Sequence, residues 1–345
     1  MIPLFYPHIS KESKELVNQV LNGKQIGQGP LVDLLEKEYG EKYGFNYCLT
    51  VNSGTSALHL AYVLAGIGEG DEVITPVLTC TATNIPLLHM KAKPVFADID
   101  SLSLNIDPKD VLKKITPKTK AIVFVHFGGN NKNLDEILEI ANTHGLKVIE
   151  DAAQAAEPGR FGFGDFTCVS FQAIKTITGG DGGMLIVKNN QHYQRAKKLR
   201  WFGIDRELKS TAGNVDIAEP GFKYHMNDIT AAIVLGNLHD VDLNIAHRKQ
   251  LLNEYEKRTF IVEGTIWLAI TFVRDREQFM KFLKDHEIET GIHHYRNDKY
   301  TIFKQYKNEC PNMDAIENQY VLLPLNYFVS ARQVERICSL IRQVR

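Results

Sequence analysis

Short apolar runs alternate with amphipathic stretches along the first two thirds of the chain. Residues 47–51 read as a strand, and 55–65 as a helix with Ala57, Leu58, Ala61, Leu64 and Ala65 on one face. Segments 72–75, 94–99, 121–127 and 147–150 read as further strands. Between the last two lies 134–143, where Leu134, Ile137, Leu138 and Ala141 fall at helical spacing. Strands separated by helices are joined by crossovers, which predicts an α/β fold with a mostly parallel sheet and helices on both faces. Segments 168–172 and 184–187 add two strands to that sheet.

After about Pro220 the rhythm changes. Helices are expected at 227–238 and 244–257, and a strand at 265–273. A helix follows at 276–285, with Phe279, Phe282 and Leu283 inward, and another closes the chain at 334–341. This predicts a large domain over 1–230 and a small α+β domain over 231–345.

Composition narrows the function classes. The 345 residues leave room for two domains. Forty Lys and Arg against 41 Asp and Glu give a net charge of −1. That argues against a basic nucleic-acid binder, a polybasic membrane protein and an acidic disordered chain. The five cysteines, at 48, 80, 168, 310 and 338, include no CxxC pair. Neither a disulfide framework nor a structural zinc site is expected, and a reducing, cytoplasmic setting is. Residues 1–10 lack the pattern of a signal peptide, and no apolar run reaches the ~18 residues of a membrane span.

Three segments carry candidate chemistry, each where a parallel sheet presents strand ends to a ligand. In Asn52-Ser53-Gly54-Thr55-Ser56-Ala57-Leu58, Gly54 removes a side chain where backbone must approach a ligand. The first-turn amides and the Ser53 and Thr55 hydroxyls suit a phosphate, or else simply cap a helix. In Val148-Ile149-Glu150-Asp151-Ala152-Ala153-Gln154-Ala155, a carboxylate at a strand end, followed by small residues, suits a flat ligand with a protonated ring nitrogen. Its alternative is another helix cap at Asp151. The third segment is Ser170-Phe171-Gln172-Ala173-Ile174-Lys175, ahead of Thr178-Gly179-Gly180-Asp181-Gly182-Gly183. Most lysines are solvated. Lys175, between apolar neighbours and a glycine-rich turn, is placed for a lowered pKa and imine chemistry. A phosphate cradle, a ring-nitrogen partner and a reactive lysine are together what pyridoxal phosphate requires.

With these motifs the chain resembles the DegT/DnrJ/EryC1/StrS family of pyridoxal-phosphate-dependent sugar aminotransferases, which have the fold-type I architecture. The resemblance also rests on Gly27-Gln28-Gly29-Pro30, on 70–76, on 93–100 and on 221–232. It implies that Lys175 binds the cofactor as an imine and later shuttles a proton, and that Asp151 pairs with the ring nitrogen. Gln154 would contact the ring or its 3-hydroxyl; Gly54, Thr55 and Ser170 would hold the phosphate. The implied reaction moves an amino group from L-glutamate to a nucleotide-linked 4-keto-6-deoxyhexose by a ping-pong mechanism. The product would be a 4-amino-4,6-dideoxy sugar of the viosamine or perosamine kind. A 3-aminotransferase on a 3-keto sugar, a sugar dehydratase and a non-catalytic regulatory protein are the alternatives. A homodimer with shared active sites is also implied.

The chain departs from the family pattern in several places. Cys80 stands where an aromatic residue usually stacks on the cofactor ring. Lys223 replaces the asparagine that usually reaches the partner subunit's phosphate, so it would act in trans. Asp181 replaces a glutamate. The segment between 257 and 267 is short, which makes the small domain minimal. His293, His294 and Arg296, in a polar loop at 291–300, are candidate contacts to sugar or diphosphate, with a solvated loop as the alternative. A third metal ligand at suitable spacing is missing beside the two histidines, so no metal is expected.

Overall fold

The computed structural model describes residues 1–344, apart from the side chains at 210 and 212. Seven strands form the main sheet: β1 (Cys48–Val51), β2 (Glu72–Pro76), β3 (Lys93–Ala97), β4 (Thr119–Val125), β5 (Lys147–Asp151), β6 (Phe166–Ser170) and β7 (Gly183–Val187). Their order is β1-β7-β6-β5-β4-β2-β3. Only β7 opposes its neighbours; it pairs antiparallel with both β1 and β6. Alternate residues of β4 feed different cores. Ala121, Val123 and Val125 pack with the helix Gly54–Leu64, and Ile122 and Phe124 pack with the helix Leu134–His144. Apolar side chains on both faces are what a central strand between two helix layers needs.

Register decides where the site lies. Val51 pairs with Gly183, Gly183 with Ser170, and Val125 with Asp151. The ends of β1, β5 and β6 and the start of β7 therefore share one sheet edge. The loop at 171–182 arches over that edge, and the turn after β1 lands beside Ser170.

A second sheet pairs β8 (Ala269–Phe272) with β9 (Tyr320–Leu323), antiparallel. The strand expected at 265–273 is thus shorter at both ends. The backbone N–H groups of residues 266 and 267 instead donate hydrogen bonds to the Gly128 carbonyl, at 2.8 and 2.9 Å.

A division of the chain at 231 falls inside the helix Asp228–His239, whose Ala231, Val234, Leu235 and Leu238 pack in a core of the large sheet. The next helix, Val241–Glu256, is shared. Val241 and Ile245 belong to that same core, whereas Leu251, Leu252 and Tyr255 belong to the core around β8 and β9. Arg248, at mid-helix, is buried and donates to the carbonyls of Trp267 (3.2 Å) and Leu325 (2.8 Å). Burial lowers its pKa to about 10.

Among the described residues, no helix is long and apolar enough to cross a membrane. No group of three or more His, Cys, Asp or Glu among them is placed to hold a metal ion.

Candidate active site

Asp151 ends β5 and is only 4% exposed. One carboxylate oxygen accepts from Thr83 Oγ1 at 2.7 Å, the other from the Ala153 amide at 3.1 Å. No helix follows, so the capping alternative drops out. A turn fixes the carboxylate instead. Its neighbour Glu150 is fully buried and faces away, where its oxygens take His126 Nε2 at 2.7 Å and the amides of Gly162 and Gly164. Burial pushes against the Glu150 charge, but His126 and these amides outweigh it and hold the carboxyl below its ordinary pKa.

Lys175 rides on the loop that joins β6 to β7. The loop is pinned along its length: Gly179 donates to Phe171 O at 2.8 Å, Asn237 Nδ2 to Thr178 O at 2.8 Å, and Asn244 Nδ2 to Thr176 O at 3.3 Å. Lys175 is half-buried as a residue, and its amine lies 4.1 Å from the centre of the Trp267 ring. Burial lowers its pKa to about 8, while the nearby Asp151 and Cys80 pull it upward. At neutral pH a usable fraction of this amine is therefore neutral, as a nucleophile or proton acceptor must be. Half-buried Cys80 sits at the start of the helix Thr81–His89.

Gly54 opens the helix Gly54–Leu64. A Cβ built there would come 2.8 Å from Ser170 Cβ, so only glycine lets the turn after β1 meet the end of β6. Intrahelical bonding starts with the Ala57 amide on Ser53 O (3.2 Å), which leaves the amides of Gly54 and Thr55 at the open end of the helix. With the exposed Thr55 hydroxyl and Ser170 beside them, these groups form an anion cradle. Ser53 is a correction. Its Oγ accepts from the Ser56 amide at 3.1 Å and pairs with Ser56 Oγ at 2.9 Å. Since Ser56 Oγ donates to Asn52 Oδ1 at 2.7 Å, Ser53 must be the donor in that pair. Its hydroxyl is thus spent inside the turn. Gly54→Ala is expected to cost about 1–3 kcal/mol by overpacking and to weaken cofactor retention. Melting of the cofactor-free protein and a pyridoxal phosphate titration check both; an unchanged titration would remove Gly54 from the cradle.

Gln154 is locked rather than free. Its Oε1 accepts from the Gly128 amide at 2.7 Å, and its Nε2 lies 3.2 Å from His294 Nε2. His293 and His294 face the lysine side of the loop. Burial first, then neighbouring positive charge including Lys175, depresses both imidazole pKa values, that of His294 to about 3. Both rings are therefore neutral near pH 7. Arg296, in contrast, is not brought to the site. It is 2% exposed and donates to Asp298 at 2.7 and 2.8 Å, and also to Asp314. Burial opposes its charge, but these bonds prevail and hold its pKa above the ordinary value. Its neighbour Asn297 is what anchors the loop. Asn297 docks the loop by donating to Thr79 O (2.7 Å) and accepting from Asn84 Nδ2 (2.9 Å), so its neighbour turns the other way.

Lys223 is exposed. Its carbonyl accepts from Asn52 Nδ2 at 3.2 Å, which ties it to the cradle turn, and its amine lies 5.4 Å from the Trp201 ring. Within one chain it is directed at an aromatic pair, Trp201 and Phe202. Thr83 and Trp267 complete the site, and no local sequence pattern announces either.

The DegT/DnrJ/EryC1/StrS aminotransferase family matches residues 7–342. The chain belongs to this family. It is 31% identical to the GDP-perosamine synthase of Escherichia coli O157:H7, over 99% of this chain and 98% of that one. The crystal structure of the sugar aminotransferase CalS13 from Micromonospora echinospora superposes with a TM-score of 0.92 at 30% identity, covering 99% of this chain and 100% of that one. A putative sugar aminotransferase, Spr1654 from Streptococcus pneumoniae, is 25% identical and has been solved in PLP and PMP forms. The PLP form gives a TM-score of 0.92 over 99% of this chain and 98% of its own.

This DegT/DnrJ family member is a pyridoxal-phosphate-dependent sugar aminotransferase. The residues present fit the cofactor. A cradle that one Cβ would fill, a buried carboxylate fixed by two donors and an amine with a pKa of about 8 lie along one sheet edge.

Proposed function

We propose that the amino group of L-glutamate is delivered to C4 of a nucleotide-linked 4-keto-6-deoxyhexose, in a ping-pong sequence. The product is a 4-amino-4,6-dideoxy sugar of the viosamine or perosamine kind. The observation that carries this reading is Lys175, a lysine amine with a pKa of about 8 within electrostatic reach of a fixed Asp151. The choice of C4 rests on the 31% identity to a GDP-perosamine synthase across nearly the whole chain. A dehydratase is disfavoured, because the related deoxygenating enzymes carry histidine in place of the lysine found here at 175.

Pyridoxal phosphate, when bound, supplies an amino carrier and an electron sink. The chain's own residues do the rest. The open amides at Gly54 and Thr55, with Ser170, hold the phosphate end. Asp151, pre-set by Thr83 and the Ala153 amide, keeps a proton on the ring nitrogen. Lys175 Nζ, once free, takes and returns the proton at the substrate carbon. Neutral His293 and His294 offer hydrogen bonds without adding positive charge near that amine. The active unit in this reading is a homodimer in the reducing cytoplasm, with Lys223 reaching the partner's phosphate site.

A panel of UDP-, GDP- and dTDP-linked keto sugars, incubated with L-glutamate, tests the proposal by NMR of the product. Amination at C4 is expected with one nucleotide series. Amination at C3, or loss of a hydroxyl without amine transfer, would overturn it.

A further inference from the structure

Trp267 touches the reactive lysine at both ends. Its indole N–H donates to the carbonyl of Ile174, the residue before Lys175, at 3.1 Å. Its ring lies 4.1 Å from Lys175 Nζ. The indole is itself immobilised. Its amide donates to Gly128 O at 2.9 Å, and its carbonyl accepts from Arg248 at 3.2 Å. Phe5 stacks on it at 5.5 Å and 24°, and His293 meets it at 4.6 Å, near-perpendicular. Trp267 is 1% exposed. Gly128, its backbone anchor, also donates to Gln154. One side chain from the segment leading into β8 thus grips the loop that hangs between β6 and β7.

We propose that Trp267 is a positioning residue for Lys175: its N–H fixes the loop carrying the lysine, and its ring shields the amine from water. A π face favours the ammonium form, whereas loss of solvent favours the neutral amine. Burial is the largest influence on this amine and lowers its pKa. The other groups that bear on this amine are Asp151 at the end of β5, Cys80 ahead of the helix Thr81–His89, and His293 and His294 on the following loop. Of these, Asp151 and Cys80 favour the ammonium, and the neutral histidines add no charge.

The inference rests on Lys175 being the working amine of the proposed transamination, but its test does not depend on the sugar. Competitive acetylation of the cofactor-free protein across pH, with the Lys175 peptide quantified by mass spectrometry, reads the lysine directly. Wild type is expected to titrate at about 8. In W267A, water reaches the amine, the pKa climbs toward the ordinary 10.5, and acetylation at pH 8 drops about tenfold. W267F keeps a ring over the amine but lacks the N–H, so the titration holds near 8. Its kcat falls about tenfold with KM unchanged, because the lysine is misplaced rather than unmade. A folded W267A protein with unaltered Lys175 titration would overturn the proposal, as would W267F with wild-type kcat. Should W267A not fold, W267F alone decides. If no keto sugar is aminated and the W267A titration still moves, the functional reading fails while this one stands.

Discussion

Lys175→Met is expected to give a folded protein that has lost essentially all amino transfer. Removing a positioned proton-transfer group costs 10²–10⁴-fold in general, and here the same amine also anchors the cofactor, so a loss of about 10⁴-fold is expected. Steady-state assays with L-glutamate and the preferred keto sugar measure it. Stability should move the other way. The folded-state pKa of Lys175 is about 8 against an ordinary 10.5, so between these values the unfolded chain holds more protons than the native one. Wild-type stability contributed by this group therefore rises with pH across that window, and the penalty is complete below about pH 8. The cofactor-free methionine variant should melt above wild type at pH 7, with the gap closing as pH rises toward 10.5. Full transamination by the variant would remove Lys175 from the centre of the mechanism.

Asp151→Asn carries the second large effect, a fall in kcat of about 10²–10³-fold. The variant is a clean one, because the hydrogen bonds around it can reverse. Asp151 accepts from Thr83 Oγ1, which pairs with Thr79 Oγ1 in a contact where either hydroxyl can donate. An asparagine Nδ2 in that place donates to Thr83, which then donates to Thr79. Its Oδ1 still accepts from the Ala153 amide, so each polar heavy atom around the former carboxylate keeps a hydrogen-bond partner. What is lost is the negative charge that keeps a proton on the ring nitrogen. Thermal melts should stay close to wild type while turnover collapses. Wild-type turnover would assign the ring nitrogen another partner.

Sheet strands were legible because each is a short apolar run bounded by helical spacing. The direction of β7 was not. The connection spans 171–182, and a link of that length serves a crossover as well as an antiparallel return. The helix Thr81–His89 was also invisible, since its interior carries Pro86 and its buried residues include Thr83 and Asn84, which break an apolar stripe. In the site, Lys175, Asp151 and Gly54 each announce themselves by local context: small neighbours, a strand end, a turn. Arg296 misleads because a basic side chain in a polar loop suits a diphosphate as well as it suits Asp298, two residues on, and Asp314, 18 residues on. Ser53 misleads because a hydroxyl that suits a phosphate suits a helix cap equally well. Trp267 gives no signal at all; the carbonyl it grips is 93 residues away in the chain.

The helix Val241–Glu256 has a further consequence. Its sequence, VDLNIAHRKQLLNEYE, contains neither proline nor glycine, the usual seats of a helix kink. One half is embedded in each core, and Arg248 rivets the middle to Trp267 and Leu325. A stiff rod about 24 Å long thus replaces the flexible joint on which clamshell enzymes swing. Swinging the two cores apart would require this helix to bend.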